Sequence, residues 1–199
     1  MSNEYFNGKM IIITAPSGAG KTTIVKHLKE KYPKMQFSVS ATTRDKRKGE
    51  LHGKDYFYLS IPEFKKLIDT KQLLEWEEVY ENQYYGTLKS EVNRIWSEGK
   101  HILFDIDVKG ATTLKERYGD RALSIFIKPP SLQVLMKRLK NRGSETPEQL
   151  KKRTIKLKEE LSYETAFDVV IVNNDLQEAL TTAENLVGDF IGNLSGAKA

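Results

Sequence analysis

The run Ala15-Pro16-Ser17-Gly18-Ala19-Gly20-Lys21-Thr22 directly follows the apolar string Met10-Ile11-Ile12-Ile13 and directly precedes a helical pattern. A strand, a glycine-bearing turn and a helix start in that order make a phosphate-binding loop. Gly18 and Gly20 let successive backbone N–H groups turn toward an anion, and the helix N-terminus adds its partial positive charge. Lys21 then reaches the β and γ phosphates of a nucleoside triphosphate, and the Thr22 hydroxyl ligates Mg2+. Thr23, next in line, belongs to the same ATP-binding set. The first position of the pattern is Ala15, where glycine is usual, a relaxation by one methyl.

Other residues carry weaker signals. Arg44 and Arg47 lie three apart in Ser40-Ala41-Thr42-Thr43-Arg44-Asp45-Lys46-Arg47-Lys48-Gly49-Glu50. The planar guanidinium fork suits a phosphate clamp, and the same spacing fits a solvated basic loop. Asp105 closes the apolar string at 101–104, at the strand end where parallel sheets bind ligands. Asp107-Val108-Lys109-Gly110 matches the Asp-x-x-Gly pattern of GTP-hydrolysing switches, yet no Asn-Lys-x-Asp motif accompanies it, and chance explains four residues. Glu75, beside Glu77 and Glu78, reads on its own as a surface acid as readily as a site residue.

The elements that must position these residues follow from length and patterning. A chain of 199 residues, 30% charged and 39% hydrophobic, suits one compact domain with insertions and excludes a membrane-spanning or disordered chain. Its N-terminus has no signal architecture, which makes a cytoplasmic location the expectation. With no cysteine, no disulfide, zinc–thiolate site or thiol nucleophile is available. The net charge of +5 is spread along the chain and does not call for nucleic acid. Apolar strings at 10–14, 37–40, 101–105, 123–127 and 169–172 alternate with helical patterns at 21–31, 88–97, 111–117, 132–141, 147–162 and 176–191. That rhythm predicts an α/β fold, a parallel sheet flanked by helices. Residues 42–86 break it and read as an inserted, partly antiparallel subdomain, with Ser60-Ile61-Pro62-Glu63 a helix start. A second break at 142–147 has the Gly and Pro punctuation of a mobile loop.

Taken together, Ala15–Thr22, the segment 37–50 with Gly53-Lys54-Asp55-Tyr56, Leu74-Glu75-Trp76, Tyr84-Tyr85-Gly86-Thr87, Asp105-Ile106-Asp107, Pro129-Pro130-Ser131, Arg138 with Arg142-Gly143, and Val172-Asn173-Asn174-Asp175 resemble the guanylate kinase family over nearly the whole chain. The resemblance implies a P-loop core at 9–40, 88–128 and 166–192, a mixed α+β GMP-binding subdomain at 41–87, a helical lid region at 129–165 and a flexible tail at 193–199. It implies transfer of the γ-phosphoryl group of MgATP to GMP, and to dGMP, in a reaction essential for GMP recycling and guanine nucleotide synthesis. The partners are then GMP and ATP with no nucleic acid and no membrane; oligomeric state is left open.

By the same likeness Arg44, Arg47, Tyr56 and Tyr85 hold the GMP phosphate, with Arg44 also catalytic beside Lys21. Glu75 faces the guanine, accepting from the ring N–H and exocyclic amine where adenine presents a lone pair. Ser40 and Thr87 donate to the guanine carbonyl, and Glu50 and Asp107 support the pocket. Asp105 is the acidic partner of the metal, acting through water. Arg138, Arg142 and Arg153 form a catalytic set that swings over the transferring phosphoryl group, a pattern that also fits a basic helix pair with Lys137, Lys140, Lys151 and Lys152. Arg142 and Asn173 border the adenine. No general base is needed, because the acceptor phosphate oxygen is already anionic. Lys46 stands where the family often has Pro, loosening the arginine loop, and Gln83 is one residue more than expected in its turn, so it could shift Tyr85. A kinase for another monophosphate and a non-catalytic scaffold module of the same fold are the rival readings.

Overall fold

The computed structural model describes residues 8–131, 133–135, 155 and 157–192. The central sheet is built from β1 (Met10–Thr14), β2 (Met35–Phe37), β7 (His101–Asp105), β8 (Ala122–Lys128) and β9 (Val169–Val172), in the order β2-β7-β1-β8-β9. Every pairing in it is parallel. β1 lies at its centre with all five residues buried, as a strand covered on both faces requires. The two-residue period divides its side chains. Ile11 and Ile13 join the core under α1 (Lys21–Lys31) and α5 (Leu176–Gly192), whereas Met10 and Ile12 join the core under α3 (Lys89–Ser97) and α4 (Val108–Tyr118).

The second sheet carries β3 (Ala41–Thr42), β4 (Phe57–Tyr58), β5 (Leu73–Tyr80) and β6 (Gln83–Leu88) in the order β4-β3-β6-β5. β3 and β4 are parallel, and the pairs β3/β6 and β5/β6 are antiparallel. Helix α2 (Ile61–Asp69) packs Phe64 against Ala41, Leu73 and Tyr84 to give this sheet its own core. Its start is the predicted capping box: Glu63 N–H donates to Ser60 Oγ at 3.4 Å, and Ser60 N–H donates to Glu63 Oε2 at 2.7 Å.

One expectation changes. The second strand, predicted at 37–40, ends at Phe37. Ser38 N–H still reaches Leu103 O at 2.9 Å, but Val39 N–H points to the buried Glu91 Oε1 at 3.4 Å, so a side chain replaces the ladder where the chain turns into the second sheet. Gln83 pairs with Tyr80 across a turn in which Asn82 takes φ 60°. A register shift between Glu78 and Tyr80 makes Val79 of β5 the surplus residue at the turn end of the hairpin. Tyr85 stays opposite Glu77.

Residues 133–135, 155 and 157–162 are helical, and Leu135 and Leu157 pack together. The predicted helices at 132–141 and 147–162 otherwise lie outside the described residues, as do Arg138, Arg142, Arg153 and the tail at 193–199. No helix among the described residues is long and apolar enough to cross a membrane.

Candidate active site

The loop after β1 turns on Gly18 (φ 89°) and Gly20 (φ 101°), conformations that side-chain-bearing residues rarely adopt. Gly20 caps α1 without a side-chain acceptor, and no acidic residue occupies the first turn. The first N–H groups of the helix are therefore left for an anion. Asn173, 3% exposed at the end of β9, donates from Nδ2 to Ala19 O at 2.7 Å and fastens the loop from behind. It does not line the cleft. A Cβ on Gly20 would collide with the Asn173 amide nitrogen. Gly20→Ala is thus expected to raise the KM for ATP at least about tenfold, through a strained φ and a displaced Asn173, while GMP binding stays within about twofold. Calorimetric titration with each nucleotide checks it.

The loop forms one wall of a cleft of about 380 Å³. Lys21, Thr22 and Thr23 line it from α1, Asp105 and Asp107 from the end of β7, and Ser40, Tyr56, Glu75 and Tyr85 from the second sheet. The strand-end rule for parallel sheets is followed, because β1 and β7 both deliver their C-terminal ends to this opening. Lys21 Nζ forms an ion pair with Asp105 Oδ1 and approaches Ile106 O at 3.5 Å.

Glu75 is the unusual group. β5 begins with three consecutive buried residues, Leu73, Leu74 and Glu75, because a register shift between Leu73 and Glu75 breaks the alternation. The carboxylate ends up 6% exposed with Thr87 Oγ1 donating to Oε1 at 2.5 Å. Burial pushes Glu75 up to about 7, and although the Thr87 bond opposes it, the nearby charges of Asp107 and Glu77 add to the rise. Asp107 caps α4, its Oδ1 accepting from Lys109 N–H and Gly110 N–H at 2.9 Å each. Glu77 is raised by burial and by its hydrogen bond to Asp107, against the pull of Lys109 Nζ at 2.9 Å.

The two loop arginines have different fates. Arg44 forks onto Glu50, Nη1 to Oε2 at 3.0 Å and Nη2 to Oε1 at 2.9 Å, and its guanidinium lies 5.3 Å from the Tyr56 ring centroid. Glu50 also accepts from Arg47 N–H at 2.8 Å and Tyr58 OH at 2.7 Å. Hydrogen bonds from Arg44, then from the Arg47 backbone, hold the Glu50 carboxyl down at about 2. The Arg47 side chain is exposed. Tyr56 and Tyr85 meet edge to face, centroids 6.0 Å apart. Ala15, Pro16, Ser17 and Gly18 join the lining, whereas Ala19, Arg44, Arg47, Glu50 and Thr87 stand outside it, most of them bonded to residues of its wall or to one another. Sequence reasoning missed Tyr58, two residues after Tyr56, and Glu77, two residues after Glu75 on the same face of β5.

A parallel α/β sheet with a phosphate-binding loop at its strand ends, and a second sheet closing a polar cleft over that loop, defines a P-loop nucleotide-binding protein. The family model for guanylate kinase matches residues 7–189. Guanylate kinases of Bacteroides fragilis and Porphyromonas gingivalis are each 45% identical over 184 residues, covering 92% of this chain and 90% and 98% of theirs. That of Salinibacter ruber is 47% identical over 182 residues, covering 92% and 96%. The crystal structure of guanylate kinase from Anaplasma phagocytophilum superposes with a TM-score of 0.72 at 30% identity, covering 96% of this chain and 88% of that one. The chain belongs to the guanylate kinase family.

Proposed function

We propose that this chain transfers the γ-phosphoryl group of ATP to a phosphate oxygen of GMP, and of dGMP, giving ADP and the guanosine diphosphate, within the cytoplasm. The observation that carries this reading is that the buried Glu75 carboxylate and the phosphate-binding loop line one cleft. Glu75 accepts from the two adjacent N–H groups of guanine, and adenine, with a lone pair at the matching ring nitrogen, leaves it unpaired. Thr87 already donates to Glu75, so its role is to orient the carboxylate as well as to serve the base. Arg44, pre-oriented by Glu50, and the Tyr56 and Tyr85 phenols hold the acceptor phosphate, with Arg47 turning in from solvent to join them.

The loop N–H groups and Lys21 hold the donor phosphates. Thr22 and Asp105 present hard oxygen donors to the same cleft. No group of three or more His, Cys, Asp or Glu able to hold a metal occurs among the described residues. Thr22 and, through water, Asp105 would hold Mg2+ there, and the ion would supply charge neutralisation to the phosphates. The remaining work is alignment and exclusion of water, with no general base. Arg138, Arg142 and Arg153 complete the charge around the transferring group in this reading.

Steady-state release of ADP with GMP, dGMP, AMP, CMP and UMP tests the assignment. Turnover is expected with the two guanine nucleotides, and fast turnover with AMP instead contradicts it. Donors spread over residues 41–87 and the lid must converge on one phosphoryl group, so the protein is expected to contract when ATP and GMP analogues bind together. Identical small-angle scattering profiles with and without both nucleotides contradict that closure.

A further inference from the structure

Asp107-Val108-Lys109-Gly110 has the form of a GTPase switch motif but serves a different end here. Asp107 caps α4, and Gly110, buried in the first turn, donates its N–H to the Asp107 carboxylate. Glycine is a poor residue for a helical turn, and the Gly110 backbone is not among those with positive φ, so its conformation does not require glycine. Space does. A Cβ at this position would lie 2.5 Å from Glu75 Oε2 and 3.1 Å from Glu75 Cδ, with Ile106 Cδ1 next at 3.6 Å.

The Glu75 side chain is therefore held on two sides. Thr87 Oγ1 grips Oε1, and the bare backbone of Gly110 lies against Oε2. What a methyl at 110 would strike is the end of a side chain rather than backbone, so the fold has room to respond and the carboxylate does not keep its place.

We infer that Gly110 is a specificity-determining residue: its missing side chain is the space in which Glu75 is held to face a purine bearing two adjacent N–H donors. This rests on the reading of Glu75 as the guanine acceptor. Gly110 is not among the residues lining the cleft, and it acts by positioning Glu75.

The test measures kinetics of Gly110→Ala, Glu75→Gln, Glu75→Asp and the double variant Gly110→Ala with Glu75→Asp, using GMP and inosine monophosphate, whose base lacks the exocyclic amine. Gly110→Ala is expected to raise the KM for GMP about tenfold and to shrink the preference for GMP over inosine monophosphate about fivefold, with the KM for ATP within about twofold. Its melting transition should be retained, since alanine favours the helix. Shortening Glu75 to Asp withdraws the carboxylate from the added methyl, so Gly110→Ala should cost little further in the Asp background. Additive costs, an unchanged GMP preference, or loss of the melting transition would each overturn the inference. If Glu75→Gln leaves GMP kinetics unchanged, the reading of Glu75 itself fails; if Glu75→Gln is impaired and Gly110→Ala is not, only the role of Gly110 fails.

Discussion

Glu75→Gln is expected to raise the KM for GMP about 10- to 100-fold while the KM for ATP stays within about twofold. Gln offers one acceptor and two N–H donors where guanine needs two acceptors, so one guanine N–H meets a donor inside a buried site. The pH profile gives the sharper signature. Burial holds the Glu75 carboxyl at about 7 in the nucleotide-free protein, with Asp107 and Glu77 reinforcing it against the Thr87 bond. Below that value the carboxyl is protonated and loses an acceptor. Affinity for GMP in the parent protein should fall by up to about tenfold per pH unit on that limb, and the Gln variant should lack it. Titration of the GMP phosphate affects both proteins equally, so the difference isolates Glu75.

Stability should move the opposite way. The folded-state pKa of Glu75 lies above its ordinary value of 4.5. The folded protein therefore holds an extra proton between those two values, and stability falls as pH rises through the window. Gln cannot ionise and escapes this loss. The variant should melt above the parent at about pH 8, by on the order of 2–3 kcal/mol, and the two should converge below about pH 5. A higher melting temperature with weaker GMP binding marks a site whose strain serves recognition. Equal melting temperatures at both pH values, with unchanged GMP affinity, contradict the burial argument.

Lys21→Met is the second large effect, an expected loss of about 10²- to 10³-fold in kcat with GMP affinity within about twofold. Lys21 is held by Asp105 and approaches the Ile106 carbonyl, at the junction of the loop and β7. In the proposed reaction the amine leaves Asp105 for the donor phosphates, and that displacement supplies cationic charge to the triphosphate. Methionine fills similar volume, removes that charge and leaves Asp105 without its ion pair. Single-turnover measurements separate this loss from nucleotide binding, and a kcat within about threefold of the parent contradicts the assignment.

What was legible in the sequence is mostly what is local. The loop at Ala15–Thr22 was readable because positive-φ glycines, a preceding strand and a following helix all lie within one short stretch, and α1 occupies the predicted 21–31. The capping box at Ser60 and the alternation of β1 are local too. Long-range contacts decided the rest. The burial of Glu75 depends on a register shift in β5 and on the approach of α4, neither of which leaves a periodic trace. Arg44 and Arg47 look alike in sequence and diverge because Glu50 and Tyr58 meet only one guanidinium. The return of β9 beside the loop, which puts the Asn173 amide against Ala19 O, leaves no local trace either. Gly110 left no clue, because the helical pattern in the sequence starts at 111 and only the structure puts Gly110 in the first turn of α4, opposite Glu75.

The most direct test of the central claim is to follow label from γ-labelled ATP, with Mg2+, in the presence of GMP and then of AMP. The account predicts that label appears in the β position of GDP, with none in inorganic phosphate beyond background and little in ADP formed from AMP. Label released as inorganic phosphate irrespective of the monophosphate, or carried to AMP as readily as to GMP, would contradict it.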